Sequence, residues 1–312
     1  MVVNITEYSI VIPVYNSEST LDELYGRITN VFGDITEDYE IVLIDDGSRD
    51  NSWNIIKQLH SKDKRVKIIK LIKNFGQHNA LMCGFNHVCG SKIITMDDDL
   101  QHPPEEIPKL ISAFCENDEF DGIIGKAYEK KHGFIRNMGS WFVGEMDKQI
   151  FGKPNNLKMG SFRLLKREII DAMVQNKSHN PTIGPILLST TLNLKNVMFE
   201  HEVRRVGKSG YNVPKMIKTT LDNIINYSTI PLKIISIIGI FTSFISFVLA
   251  SYYIWKKFVF NMAPQGWTSL IVINLFFFGI LLFSVGIIGE YLIRIIRQVN
   301  SDSQYIIKET SF

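Results

Sequence analysis

The sequence predicts an α/β domain built on a mainly parallel sheet, followed by an interfacial helix and two long apolar helices. Three observations predict it. Short β-branched runs alternate with amphipathic segments through the N-terminal part of the chain. A polar cluster ends each of the first four runs. Two stretches without a charged residue, 234–255 and 258–289, stand near the C-terminus, and each exceeds the ~20 residues that cross a hydrocarbon layer as a helix.

Taken in order, Ser9-Ile10-Val11-Ile12-Pro13-Val14 reads as a strand, with Ser17 or Ser19 placed to cap a helix through Val31. Residues 40–46 form a second strand, followed by Gly47-Ser48 and a helix to about His60. A third strand covers 66–71, a helix 77–88, and a fourth strand ends at Met96. After Pro104 a helix runs to Cys115, and a short strand occupies 121–124. Residues 125–139 are basic, with Lys126, Lys130, Lys131, His132 and Arg136. A polar connection then leads to Met159-Gly160-Ser161-Phe162-Arg163-Leu164-Leu165. Continuous apolar strands separated by helices imply a sheet buried on both faces, and ligands bind such sheets beyond the carboxyl ends of the strands. Pro13-Val14-Tyr15-Asn16, Asp45-Asp46-Gly47-Ser48, Asn74-Phe75-Gly76 and Asp97-Asp98-Asp99 all fall there.

Apolar residues at Val213, Met216, Ile217, Leu221, Ile224 and Ile225, with Lys215 and Lys218 among them, suit a helix lying in a membrane interface. The division is therefore a domain over 1–210, a juxtamembrane helix over 211–230, and two spans with a tail over 231–312. The loop between the spans carries Lys256 and Lys257, while the outer flanks carry Lys215, Lys218, Lys233, Arg294 and Arg297. This bias places both flanks in the cytosol. The polar start of the chain is no signal peptide, which keeps the N-terminal domain there too.

Composition excludes several classes. A net charge of +2 gives no field for nucleic acid. The 3 cysteines have no metal-ligand spacing and read as reduced structural thiols. No Gly-x-Gly-x-x-Gly follows the first strand and no Gly-x-x-x-x-Gly-Lys-Ser/Thr occurs, so the markers of dinucleotide and P-loop folds are missing. His60, His78 and His87 lie on predicted helices without partner spacing and read as packing or surface residues.

What remains is the run Met96-Asp97-Asp98-Asp99-Leu100-Gln101-His102-Pro103-Pro104. Adjacent carboxylates repel, and a fold that gathers them at a strand end needs a cation. Alternation along an extended segment puts Asp97, Asp99 and Gln101 on one side, with Asp98 facing away or supporting the loop. Those oxygens are hard ligands suited to Mg²⁺ or Mn²⁺, completed by a pyrophosphate and water.

Val11 to Glu18, Ile44-Asp45-Asp46-Gly47-Ser48-Arg49-Asp50 and Met96 to Glu105 resemble the family-2 glycosyltransferases of GT-A fold, a Rossmann-like α/β domain. Asn74-Phe75-Gly76-Gln77, Phe162-Arg163-Leu164-Leu165, Arg204-Arg205-Val206-Gly207-Lys208-Ser209-Gly210-Tyr211 and the two spans narrow the resemblance to the polyprenyl-phosphate glycosyltransferases. These include dolichol-phosphate mannose synthases, bactoprenol glucosyltransferases and the aminoarabinose transferase of lipid A modification. The resemblance implies metal-dependent transfer of a sugar, with inversion, from a nucleotide-diphosphate donor such as a UDP-sugar to polyprenyl (undecaprenyl) phosphate. The chain would sit in the bacterial inner membrane, multi-pass, as a homo-oligomer such as a tetramer, with its catalytic domain cytosolic. Pro13, Tyr15, Asn16, Glu18, Asp46, Asn74 and Asp98 would bind the nucleotide-sugar, and Asp97, Asp99 and Gln101 the metal. Arg136, Arg204, Lys208 and Ser209 would meet donor or lipid phosphate, with Asp97, Asp99 and Arg204 the catalytic set.

Two departures matter. Ser161 stands where bactoprenol glucosyltransferases have an acidic residue, and the family's Gly-x-Ser-Lys-Tyr becomes Gly207-Lys208-Ser209-Gly210-Tyr211. The first weakens any claim of a protein general base. A phosphate monoester with its second pKa near ~6 is already largely dianionic at neutral pH and needs none. A non-catalytic donor-sugar sensor would draw on the Ser161 departure. A processive polysaccharide synthase would need a Gln-x-x-Arg-Trp motif, which is absent, and more spans.

Overall fold

The computed structural model describes residues 6–36, 38–116, 119–128, 144–145, 147–178, 181–200, 202, 230–260, 266–299 and 303–312. They divide into two units, Met1–Asn212 with Ser301–Phe312, and Val213–Asn300.

In the first unit, β1 (Tyr8–Val14), β2 (Tyr39–Asp45), β3 (Val66–Leu71) and β4 (Lys92–Thr95) form the parallel centre of an eight-stranded sheet. β5 (Gly122–Ala127), β6 (Arg163–Lys166), β7 (Leu194–Phe199) and β8 (Ile307–Ser311) complete it in the order β7-β5-β6-β4-β1-β2-β3-β8. β1 and β2 are buried at every position, as runs covered on both faces must be. Their covers are α1 (Leu21–Gly33), α2 (Ser52–Lys62), α3 (Gln77–Phe85) and α4 (Ile107–Cys115). Leu24, Ile28 and Phe32 of α1 recur at helical spacing and pack with Tyr8 and Tyr39; the Phe32 ring stacks on Tyr39 at 4.5 Å. α5 (Arg167–Met173) and α6 (Ile183–Thr190) follow β6.

Three details differ from the sequence reading. Neither Ser17 nor Ser19 caps α1: the N-cap is Thr20, and the Ser17 hydroxyl is drawn to Asp98 instead. β6 runs antiparallel to β4 and β5, which turns the far half of the sheet mixed. The tail is a strand: β8 pairs antiparallel with β3, and the Ile72 N–H continues the ladder to the Ile306 carbonyl at 3.0 Å. Ser311 Oγ lies 2.7 Å from His60 Nε2, and the Phe312 ring stacks on His87 at 5.5 Å. Both histidines are thus packing groups, as their spacing predicts. So is Cys83, whose buried thiol is pushed up to about 12.

The second unit holds α7 (Ile230–Phe260) and α8 (Trp267–Val299). The uncharged run over 258–289 is therefore broken: residues 258–260 end α7 and the next helix starts at Trp267. Among the described residues one window, Phe276–Ile293, is long and apolar enough to cross a membrane, with mean hydropathy 2.1, where the sequence reading expects two spans. α7 contributes a shorter apolar stretch, Ile237–Leu249. The expected interfacial helix over 211–230 lies almost wholly outside the described residues.

Candidate functional site

The sheet order reverses between β1 and β4, since the chain steps outward from β1 through β2 and β3, then returns to β1's other side. Loops diverge at such a point and leave a crevice beyond the strand ends. Tyr15 follows β1 on one flank and Asp97 follows β4 on the other.

Hydrogen bonds tie the four predicted clusters together. Asp98 accepts from the Tyr15 N–H at 3.0 Å and from the Ser17 hydroxyl, which holds the β1 loop against the acidic run. The Asn16 N–H donates to Ser48 Oγ at 3.0 Å, and Asn16 Oδ1 accepts from the Arg49 N–H at 2.8 Å. Glu18 accepts from the Asn51 N–H at 2.8 Å, at the start of α2. Asp46 accepts from the N–H groups of Phe75 and Gly76 at 2.7 and 2.9 Å. Gly47 (φ +70°) is required here, because a Cβ would lie 2.6 Å from the Lys73 carbonyl carbon. Tyr15, Asn16, Glu18 and Asn74 reach the surface, whereas Pro13 and Asp46 are buried. Asp46 therefore shapes the crevice mainly through the loop it holds. Burial pushes its carboxyl upward, against the two backbone bonds.

Asp97 to Gln101 is a turn, not the extended segment whose alternation the sequence suggests. The Gln101 N–H folds back onto Asp99 Oδ1 at 3.1 Å, and Leu100 takes φ 60° with its side chain 2% exposed in the core. A left-handed leucine costs on the order of 1–3 kcal/mol and persists only where its surroundings impose it. Those surroundings include Thr20, whose hydroxyl donates to the Asp98 carbonyl at 2.7 Å. Asp98 points into the protein and binds the β1 loop, so it supports the turn. Burial pushes it up to about 6, with Asp97 and Asp99 adding to the rise.

Asp97 is held from two sides. Gln77 Nε2 donates to Oδ1 at 2.6 Å and Ser161 Oγ to Oδ2 at 2.9 Å. His102 Nδ1 accepts the Asp97 N–H at 3.3 Å, and its Nε2 lies 3.5 Å from Ser161 Oγ. The His102 ring stacks on Phe162 at 5.4 Å. Behind Asp97, Arg163 is 5% exposed, and its Nε and Nη1 have no hydrogen-bond partner among the described residues. Burial pushes Arg163 down to about 10, opposed by the Asp97 charge. His78, beside the same cation, is pushed down to about 4 by burial and by Arg163.

No three His, Cys, Asp or Glu converge as a preformed metal cage among the described residues. The donor set still fits a hard divalent ion that keeps part of its shell for water and phosphate: carboxylates at Asp97 and Asp99, an amide at Gln101, and an adjoining crevice. Arg136, Arg204, Lys208 and Ser209 lie outside the described residues. Sequence reasoning missed Gln77, Arg163 and the bond from Ser161 to Asp97. Gln77 and Arg163 both stand in motifs that carry the resemblance, Asn74 to Gln77 and Phe162 to Leu165, but spacing alone gives neither a role.

The Glycosyl transferase family 2 model matches residues 9–174. The undecaprenyl-phosphate 4-deoxy-4-formamido-L-arabinose transferase of Proteus mirabilis is 33% identical over 309 residues, 98% of this chain and 94% of that one. The enzyme of that name from Yersinia enterocolitica matches at 33% over the same shares, 98% and 94%. Among solved structures, glucosyl-3-phosphoglycerate synthase from Mycobacterium tuberculosis, in complex with Mn²⁺, UDP and glucosyl-3-phosphoglycerate, aligns at TM-score 0.53 and 14% identity. That alignment covers 71% of this chain and 80% of that one, and it speaks for the fold alone.

Proposed function

The chain belongs to glycosyl transferase family 2 and is a glycosyltransferase, and from that premise we propose that it moves a sugar from a UDP-sugar to polyprenyl phosphate at the cytosolic face of the bacterial inner membrane. The observation that carries this reading is one chain holding both an acidic turn at the switch point of its sheet and long apolar helices with exposed aromatic side chains. Phe241, Phe247, Phe276 and Phe283 are 64%, 72%, 65% and 68% exposed. Such surface suits acyl chains and gives the acceptor its membrane solvent.

Connectivity supports a hairpin of two spans. The chain leaves the first unit after Asn212 and re-enters it at Ser301, and β8 is stitched to β3. A helical excursion that begins and ends on one domain crosses a membrane an even number of times.

In this reading Tyr15, Asn16, Glu18 and Asn74 line the nucleotide crevice, with Asp46 and Asp98 shaping it. Asp97, Asp99 and Gln101 would hold Mg²⁺ or Mn²⁺, which supplies charge neutralisation for the departing nucleoside diphosphate. Arg136, Arg204, Lys208 and Ser209 would meet phosphate, where fixed cations offset the repulsion between the two anionic substrates. The acceptor oxygen attacks the anomeric carbon from the face opposite the leaving group, which inverts that centre. The acceptor is already ionised, so the protein contributes mainly by positioning. Ser161 suits that role, because it donates to Asp97 and orients a carboxylate, where a base would have had to remove a proton. This speaks against a decayed, non-catalytic sensor.

The test is product formation by the full-length protein with undecaprenyl phosphate, Mn²⁺ and a panel of UDP-sugars. One donor should give a chelator-sensitive, phosphatase-resistant glycolipid. Tight donor binding without turnover for every donor would overturn the reading.

A further inference from the structure

Arg27 lies 70 residues before Asp97 in the sequence and belongs to none of the motifs, yet its side chain reaches both flanks of the acidic turn. Its guanidinium is bidentate to Glu105, with Nε 2.9 Å from Oε1 and Nη2 2.6 Å from Oε2. Nη2 also reaches Glu202 Oε1 at 2.7 Å, and Nη1 stands 3.4 Å from Glu23. Glu105 sits in the 3₁₀ turn Pro104–Glu106, directly after the acidic run. Glu202 arrives from the far side, past the end of β7, and its N–H donates to the Gln101 carbonyl at 3.3 Å. Phe199, the last residue of β7, lies against His102 at 5.7 Å and Phe162 at 5.3 Å.

The contacts form a closed strap. α1 grips the turn through Thr20 on the Asp98 carbonyl and, two helical turns later, through Arg27 on Glu105 and Glu202. Arg27 is only 17% exposed at its side chain, and its bonds hold Glu105 below the usual carboxylate range. Without the cation, Glu23, Glu105 and Glu202 would face one another, and like charges at that spacing repel. Glu202 would be driven off, and its N–H would leave the Gln101 carbonyl. Lysine carries the charge but lacks the planar fork that serves Glu105 twice and Glu202 once.

We propose that Arg27 is a positioning residue that fixes the Asp97–Gln101 turn, and with it the metal-facing oxygens, through Glu105 and Glu202. The proposal rests on the metal-dependent reading of the turn. The alternative is a staple that stabilises α1 and leaves the turn untouched.

Amide exchange and metal dependence on the full-length protein in nanodiscs separate the two. In Arg27→Met, exchange should quicken by about tenfold or more in peptides covering 97–106, with β1 and β2 unchanged. The Mn²⁺ concentration giving half-maximal transfer should rise by about tenfold, the scale of losing one hydrogen bond that holds the turn, while turnover at saturating Mn²⁺ falls less than about threefold. Arg27→Lys should fall between. Glu202→Gln in the Arg27→Met background should be no worse than Arg27→Met alone, because the two act as one device. Unchanged exchange over 97–106, or a lower thermal midpoint with unchanged Mn²⁺ dependence, would overturn the proposal. A wild-type protein whose transfer ignores Mn²⁺ would sink the metal reading, and the exchange arm alone would then decide on Arg27.

Discussion

The crevice loops and the two long helices are stabilised in opposite ways. Around the crevice polar groups hold the loops to one another: Asp98 holds Tyr15 and Ser17, Asp46 holds Phe75 and Gly76, Asn16 holds Arg49, and Glu18 holds Asn51. The site is a scaffold that the domain builds for itself. Along α7 and α8, by contrast, phenylalanines stand more than half exposed. The first region is specified by contacts within the chain; the second, in the proposed reading, by the acyl chains of a membrane. The proposed transfer from a soluble donor to a lipid acceptor would need both.

The largest effect should break the first region at its chemical point. Asp99→Asn keeps the shape and can still accept the Gln101 N–H, but it removes one of the charges that would hold the proposed metal. Transfer should fall by about 10²–10³-fold, the scale set by loss of one preorganised electrostatic group, with circular dichroism and thermal midpoint unchanged. Activity within about threefold of wild type would show that the turn does not carry the chemistry.

The second prediction breaks the other side of the comparison. Phe283 sits mid-way along α8 and is 68% exposed. On a water-facing helix Phe283→Lys would be neutral. In a bilayer centre the lysine costs about 2.5–3.5 kcal/mol of insertion free energy. The variant should partition partly out of the membrane fraction on carbonate extraction, while the first unit still binds UDP. Full retention in the pellet would argue that α8 does not span.

A third sharpens the line between shaping and binding. Asp98→Asn offers an acceptor to the Tyr15 N–H and the Ser17 hydroxyl, and it removes a half-buried charge. It should keep activity and stability. Asp98→Ala strands both donors and should cost about 1–3 kcal/mol in a denaturant titration. Were Asp98 a direct ligand of the nucleotide-sugar, the two variants would instead lose donor affinity alike.

Much of this was legible in the sequence, for a physical reason. Buried parallel strands need continuous β-branched runs, and strand-end clusters need Gly, Asn and Asp for their turns, so the β1 to β4 core and its four loops leave a local signature. What escaped depends on distant partners. β8 is Ile-Lys-Glu-Thr-Ser, an edge strand held by its backbone, and most of it faces water, so it has no apolar alternation to read. Arg27 with Glu23 looks like an ordinary i,i+4 surface pair, and only the fold brings Glu105 and Glu202 to it. The acidic turn was found, but its geometry was not. The left-handed Leu100 goes with tertiary contacts, its own side chain in the core and Thr20 on the Asp98 carbonyl, which override the extended conformation that the preceding strand suggests.

The smallest effect at neutral pH tests how tightly the crevice floor is closed. His78 begins the solvent-shielded layer behind Asp97, and burial together with Arg163 pushes its pKa down to about 4. A histidine whose folded pKa lies below its unfolded value near ~6.5 is neutral in the native state and must stay so. Its contribution is therefore fully present above the unfolded value and is lost as pH falls from about 6.5 through 4, because the unfolded chain then binds the proton that the fold refuses. Arg163 cannot give way, since its own charge is fixed across that range. The acid loss attributable to His78 should be roughly 2–3 kcal/mol by pH 4.5, and close to nil at neutral pH. His78→Gln, which cannot titrate, should flatten that part of the stability profile while leaving the neutral-pH stability within about 1 kcal/mol. A variant that tracks the wild-type profile through this window would mean that water reaches the ring, and that the layer behind Asp97 is as open as the faces of the two long helices.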